Sequence, residues 1–272
     1  MPTVVCIINQ KGGCGKSSTC FHLSGAMSAH GKRVLLLDLD PQGSLTQGFL
    51  GSMATEAFPR HATSALLFDE TLCESPLSRL VRTTEFAGVS LVAANQHLAQ
   101  FNAPLTEAGS LLLHKLRSDL RSLPGYDFVL IDCPPNLYRC SLTAMIAADG
   151  VLVPVPPEDF GTQGLRAVCQ SVNAARRANP ALCLLGYVVT RQDRRLIIHR
   201  TYENRLRRVY GDGIFHTAIP EATAFKMSLA SRTPVEFDQP QSAAARAMRE
   251  LSRELEERSV KRRHYAGLRE GL

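Results

Sequence analysis

The 272-residue sequence predicts an α/β protein: a mainly parallel, twisted sheet with helices on both faces. Three observations carry this prediction. Short, continuous apolar runs recur along the chain and read as strands buried on both sides. Segments of helical period separate them, and the first run passes directly into a glycine-rich loop that opens a helix. No Pro/Gly/Ser tract reads as a linker and no internal repeat is visible, so residues 1–272 are expected to form a single domain.

In chain order, residues 3–9 (TVVCIIN) form the first buried strand, and residues 16–30 a helix that Gly31 ends in the usual C-terminal position. Residues 33–40 (RVLLLDLD) give the second strand. Further strands are expected at 88–93, 127–132, 150–155, 183–190 and 214–219, with helices near 107–122, 141–148, 162–178, 195–209 and 241–258. Residues 51–85 show no clear pattern.

Composition excludes several classes. Hydrophobic residues at 44% and charged residues at 21% are ordinary globular values. No stretch of about 18 apolar residues could span a bilayer, and the N-terminus lacks a basic segment before its apolar run, so a cytoplasmic protein is expected. Eight cysteines at irregular spacing, without a CxxC or Cys/His cluster, predict reduced, buried thiols. The net charge of +6 is uneven: residues 1–185 balance 14 Lys/Arg against 14 Asp/Glu, whereas 186–272 carry 17 against 11. Arg191, Arg194, Arg195, Arg200, Arg205, Arg207 and Arg208 face only Asp193 and Glu203, a density that suits phosphate neutralisation.

The chemistry concentrates in Lys11-Gly12-Gly13-Cys14-Gly15-Lys16-Ser17-Ser18. A phosphate loop needs glycines so that the backbone can turn and aim successive N–H groups at oxygens. It also needs a helix N-terminus whose dipole favours an anion. Lys16 is placed to reach the β- and γ-phosphates and the Ser17 hydroxyl to ligate Mg²⁺. The ordinary pattern would place Gly at position 10; this chain has Gln10 there, followed by Lys11. A carboxylate pair follows in Asp38-Leu39-Asp40-Pro41-Gln42-Gly43-Ser44. Alternation puts Asp38 and Asp40 on one side of a strand at its C-terminal end. Four apolar residues, Phe128 to Ile131, then deliver Asp132 to another strand end, the pattern of a carboxylate that holds Mg²⁺ through water.

With Lys11 in this position the loop resembles the deviant Walker A motif, KGGxGK[ST], of the ParA/MinD class of P-loop ATPases, and residues 9–18 are similar to the ParA version. The resemblance runs through Val153-Pro154-Val155-Pro156-Pro157-Glu158, Gly164-Leu165, Val188-Val189-Thr190, Ile219-Pro220-Glu221 and Arg232-Thr233-Pro234-Val235. It implies an ATPase that takes ATP with Mg²⁺ and closes as a homodimer, in which Lys11 reaches the partner's nucleotide. It further implies that Asp40 acts on the attacking water, that Asp38 supports the metal shell, and that Pro220 contacts adenine. Catalytic roles are thus expected for Lys11, Lys16 and Asp40. Nucleotide contacts are expected from residues 11–18 with Asp38 and Pro220, and metal contacts from Ser17 and Asp132.

The same resemblance implies non-specific double-stranded DNA as a partner, a ParB-like adaptor that stimulates weak intrinsic hydrolysis, and a nucleoid-associated protein in a prokaryote. Arg191, Arg194, Arg195, Arg205, Arg207, Arg208, Lys226 and Arg246 form the pool of candidate DNA contacts. The first strand begins at the N-terminus, so no N-terminal helix-turn-helix domain is expected. Residues 259–272 offer only Val260, Tyr265, Leu268 and Leu272 among charges, which argues against a MinD-like membrane tail. The cysteine spacing argues against an iron–sulfur relative. Relatives that position protein cargo, or serve secretion or conjugation, share the same motifs.

Overall fold

A computed structural model describes residues 1–69, 77–104, 110–157 and 162–269. Cys73, Glu158, the start of the helix expected at 107–122 and the side chains beyond Lys261 lie outside the described residues. The strands are β1 (Thr3–Ile7), β2 (Val34–Asp38), β3 (Val81–Thr83), β4 (Val89–Val92), β5 (Phe128–Asp132), β6 (Gly150–Val155), β7 (Cys183–Gln192) and β8 (Ile214–Pro220). The helices are α1 (Lys16–Ala29), α2 (Ser44–Leu50), α3 (Ser52–Ala57), α4 (Leu77–Leu80), α5 (Ser110–Ser122), α6 (Arg139–Ala147), α7 (Thr162–Ala175), α8 (Ile197–Tyr210), α9 (Thr223–Ala230), α10 (Val235–Asp238) and α11 (Ala243–Arg269).

All eight strands join one sheet in the order β3-β4-β2-β5-β1-β6-β7-β8. Every pairing is parallel except β3 with β4. Side-chain alternation divides the core. Val4, Cys6, Leu35, Leu37, Val129 and Ile131 face one way, onto Leu116 of α5, Ala144 of α6 and Val168 of α7. Val5, Ile7, Leu36 and Leu130 face the other way, onto Phe21 and Leu23 of α1 and Leu251 of α11. With both faces covered, the central strands must be apolar throughout, which is why they read as unbroken runs.

Helix α1 stops where Gly31 takes a left-handed φ of 77° and donates its N–H to the Ser28 carbonyl. At its middle, a Cβ on Gly25 would stand 2.4 Å from the Pro234 Cβ, so α10 approaches this helix at a distance that admits only glycine. The structure adds what the sequence did not show. Residues 52–57 and 77–80 are short helices, with 3₁₀ turns at Arg60–Ala62 and Ser64–Phe68, and β3 is a three-residue antiparallel edge. Helices α2, α9 and α10 were also unexpected, and α11 runs to Arg269, past the expected end at 258. Cys6, Cys14, Cys20, Cys133 and Cys140 are free and buried as expected, whereas Cys169 and Cys183 are free but only half-buried. Among the described residues no helix is long and apolar enough to cross a membrane.

Candidate nucleotide site

The site opens at the C-terminal end of β1, in the middle of the sheet. Asn9 anchors the loop on both sides: its Nδ2 donates to the Pro154 carbonyl at 2.7 Å, and its Oδ1 accepts the Lys11 N–H at 3.0 Å. Gly15 caps α1 at φ 90°, a conformation that a side chain would strain. No side chain caps this helix and its first turn carries no acid. Its leading N–H groups are therefore left for an anion. Lys16 is buried, at 6% exposure, and its Nζ donates to the Lys11 carbonyl at 3.4 Å, whereas Lys11 itself lies on the exposed rim.

Three carboxylates gather beside this loop because three strands end together. Asp132 is the register partner of Ile7 on one side and of Asp38 on the other. Asp38 is fully buried and accepts the Asp40 N–H at 3.0 Å, the Thr46 N–H at 3.0 Å and the Thr46 hydroxyl at 2.7 Å. Burial pushes its carboxyl up to about 7, against the pull of those Thr46 bonds. Asp40 accepts the Gln42 N–H at 2.9 Å and is also raised by burial, with that bond and the Lys16 charge opposing. Asp132 differs from both. Neither of its carboxylate oxygens has a hydrogen-bond partner, although the residue is fully buried. Burial, and then the charge of Asp38, push its carboxyl well above the usual range, with the nearby Ser17 hydroxyl and Lys16 acting the other way.

A buried, unpartnered carboxylate next to a hydroxyl fits Mg²⁺, which keeps several waters and takes other ligands from substrate phosphates. Ser17 and Asp132 would hold it. Among the described residues no group of three or more His, Cys, Asp or Glu could hold a metal ion.

A cavity of about 210 Å³ continues from the phosphate loop between the ends of β7 and β8. Gly13, Gly15, Ser18 and Thr19 line one end; Ile219, Pro220, Phe225 and Leu229 line the other. The Thr190 hydroxyl donates to the Cys14 carbonyl at 2.8 Å, bracing the loop from β7. Sequence reasoning placed Pro220 here. Thr190 belongs to a stretch of the family resemblance but had no role assigned, and Phe225 and Leu229 of α9 and Met248 of α11 carry no motif of their own.

The eight basic candidates fall into different settings. Arg191 and Lys226 line the cavity and pair with Glu221, at 3.0 and 2.9 Å. Arg207 is built into the fold: it pairs with Glu203 at 2.6 Å and donates to the Phe215 and His216 carbonyls. Arg195 is 90% exposed at its side chain but chelates Asp193 at 2.7 Å. Arg194, Arg205, Arg208 and Arg246 are exposed. Two acids of α11 pair with groups other than Arg246: Glu254 with Arg258 and Glu256 with Lys32.

A central parallel sheet, a glycine loop with two lysines and a cluster of strand-end carboxylates together define a P-loop ATPase of the deviant Walker A class. A family model described as an AAA domain matches residues 2–184. The chromosome-partitioning ATPase Soj of Thermus thermophilus is 36% identical over 258 residues, covering 92% of this chain and 94% of that protein. The chromosome partitioning protein ParA of Caulobacter vibrioides is 34% identical, with 93% of each covered. Among solved structures, a cobyrinic acid a,c-diamide synthase from Mycobacterium smegmatis with bound ADP and magnesium superposes with a TM-score of 0.71. It is 30% identical, over 89% of this chain and 97% of that one. The chain belongs to the ParA/Soj family of ATPases within this AAA-domain group.

Proposed function

We propose that this ATPase is a nucleotide-driven partition switch: ATP closes two copies face to face, the closed dimer holds DNA of any sequence, and hydrolysis releases it. The observation that carries this reading is the separation of two lysines within one loop, Lys16 buried at its own site and Lys11 on the exposed rim. A rim lysine is placed to meet a phosphate presented by another subunit.

The leading N–H groups of α1 and the Lys16 ammonium bind the phosphates. Bound Mg²⁺, held by Ser17 and Asp132, would neutralise part of their charge. Asp40, tethered by the Gln42 amide, holds the attacking water, and Asp38 fixes the Asp40 loop through Thr46. Each Lys11 adds a positive charge to the opposite nucleotide, so that closure and charge neutralisation are one event.

Dimerisation doubles the cationic surface. Arg194, Arg195, Arg205, Arg208 and Arg246 are the exposed candidates for phosphate contact that lie outside the cavity, and since each contact adds to the salt exponent, two weak patches joined bind far more strongly than one. A ParB-like adaptor would complete the slow active site, and the cytoplasmic nucleoid would be the place of action. The same switch could carry a protein cargo; the adaptor decides.

The test is binding to arbitrary DNA with ATP, ADP or no nucleotide across a salt series. Wild type should bind with ATP alone, Lys16→Ala not at all, and Asp40→Ala more persistently. An Arg194→Glu/Arg195→Glu variant should lose DNA but keep nucleotide. Binding that ignores nucleotide sinks the switch.

A further inference from the structure

We propose that Glu221 selects the nucleobase, favouring a purine with an amino group at position 6 over one with a carbonyl there. This rests on the nucleotide reading above and concerns the cavity wall opposite the phosphate loop. That wall is apolar at Ile219, Pro220, Phe225 and Leu229, and among the described residues that line the cavity Glu221 is the one carboxylate. Thr190, on β7, uses its hydroxyl proton to brace the Cys14 carbonyl and so cannot also donate to a base.

Glu221 is fixed rather than trailing. Its backbone N–H donates to the Gln192 carbonyl at 2.9 Å. Its Oε2 accepts from Arg191 Nε at 3.0 Å and its Oε1 from Lys226 Nζ at 2.9 Å. Each carboxylate oxygen offers two lone-pair directions, so each keeps one for a ligand. The Lys226 ammonium, with the Arg191 guanidinium, holds the Glu221 carboxyl below its ordinary range, so the group is an acceptor and not a donor. Arg191 is itself held at two points. Its backbone takes a left-handed φ of 54°, unusual for a residue with a side chain, and its Nη1 donates to the Gly13 carbonyl at 3.3 Å. The network therefore sets the distance from the phosphate loop to the Glu221 carboxylate.

An ionised acceptor at this wall welcomes an exocyclic amino group and repels a carbonyl oxygen in the same place. Sites that hydrogen-bond a substrate group reject analogues lacking it more sharply than apolar pockets do, and here a carbonyl oxygen would face the ionised carboxylate as well as lose the hydrogen bond. Arg191 and Lys226 are thereby drawn into the nucleotide site, away from the DNA pool.

Calorimetric titration of ATP, inosine triphosphate and 2′-deoxyATP into wild type, Glu221→Gln, Glu221→Ala and Lys16→Ala tests this. Inosine triphosphate differs from ATP in having a carbonyl for the amino group at position 6 and a proton on the neighbouring N1. Wild type should bind ATP at least about tenfold more tightly than inosine triphosphate, a modest share of what hydrogen-bond selection can give. Glu221→Ala should bring the two within about twofold, mostly by weakening ATP. Glu221→Gln, whose amide can turn either its oxygen or its NH₂ to the base, should gain affinity for inosine triphosphate. A ratio unmoved in both Glu221 variants overturns the proposal while leaving the nucleotide site intact. So does a change confined to 2′-deoxyATP, which would assign Glu221 to the ribose. Wild type that binds none of the three, behaving as Lys16→Ala does, overturns the nucleotide reading itself.

Discussion

Replacing Asp132 by asparagine should stabilise the nucleotide-free protein while abolishing its turnover. Both oxygens of this buried carboxyl lack hydrogen-bond partners, and Asp38 sits opposite it in the β2–β5 register. An uncompensated buried charge costs about 3–5 kcal/mol. The protein recovers some of that by binding a proton, and the variant keeps one unpartnered oxygen, so a net gain of about 2 kcal/mol is expected. For a chain of this length that corresponds to a melting temperature roughly 4 °C higher.

The pH dependence gives an independent sign. Asp132 has a folded pKa well above its ordinary 3.8, so the folded state binds the extra proton. Wild-type stability from this group is therefore full below the unfolded value and falls as pH rises towards the folded one. Asparagine carries no such proton, so the advantage of the variant should be largest in mild alkali and vanish near pH 4. Chemical denaturation with EDTA present, from pH 4 to 8, measures it. A variant less stable than wild type at pH 8 would show that the carboxylate is already compensated, and the argument for a waiting cation site would fall with it.

Four further outcomes are expected. Gly25→Ala should destabilise the fold by about 2 kcal/mol despite the better helix propensity of alanine, because its Cβ would sit 2.4 Å from the rigid Pro234 ring; a stabilised variant in a urea titration would contradict that contact. His22 is buried, accepts the Val235 N–H through Nδ1 at 3.1 Å, and burial lowers its pKa to about 3. Its contribution should be full above the unfolded value of 6.5 and be lost as pH falls towards 3, so the acid side of the stability curve should flatten in His22→Gln. Thr190→Val should cost about 1–3 kcal/mol through the orphaned Cys14 carbonyl and also weaken ATP in titration calorimetry. Thr46→Val removes the hydroxyl donor to Asp38 Oδ2 and leaves that oxygen only the backbone N–H of residue 46, so it should lower turnover in a phosphate-release assay by roughly 10-fold while leaving ATP affinity close to wild type.

The loop and carboxylates proposed for hydrolysis were legible as candidates because each motif is contiguous in sequence. Loop, strand ends and carboxylates each lie within a few residues of an apolar run, and the run fixes which end they occupy. The register that sets Asp38 beside Asp132 was not legible, since strand order depends on pairings far apart in sequence. Residues 51–85 gave no signal for a physical reason. Their elements are three to six residues long and are held by distant groups, such as the Asn95 amide on the Thr55 and Phe58 carbonyls. Nor could composition say which arginines are spent. Arg207 looks like its neighbours in the sequence, yet it staples α8 to β8.

The strand order has an evolutionary consequence. The proposed phosphate site is assembled from β1, β2 and β5 at the centre of the sheet, whereas the far wall of the cavity comes from β7 and β8 at one margin. The two can be altered separately. A lineage can retune what it recognises by drift at the margin while the hydrolytic centre stays fixed, and the opposite margin, β3 with its short surrounding helices, is free to diverge towards other roles.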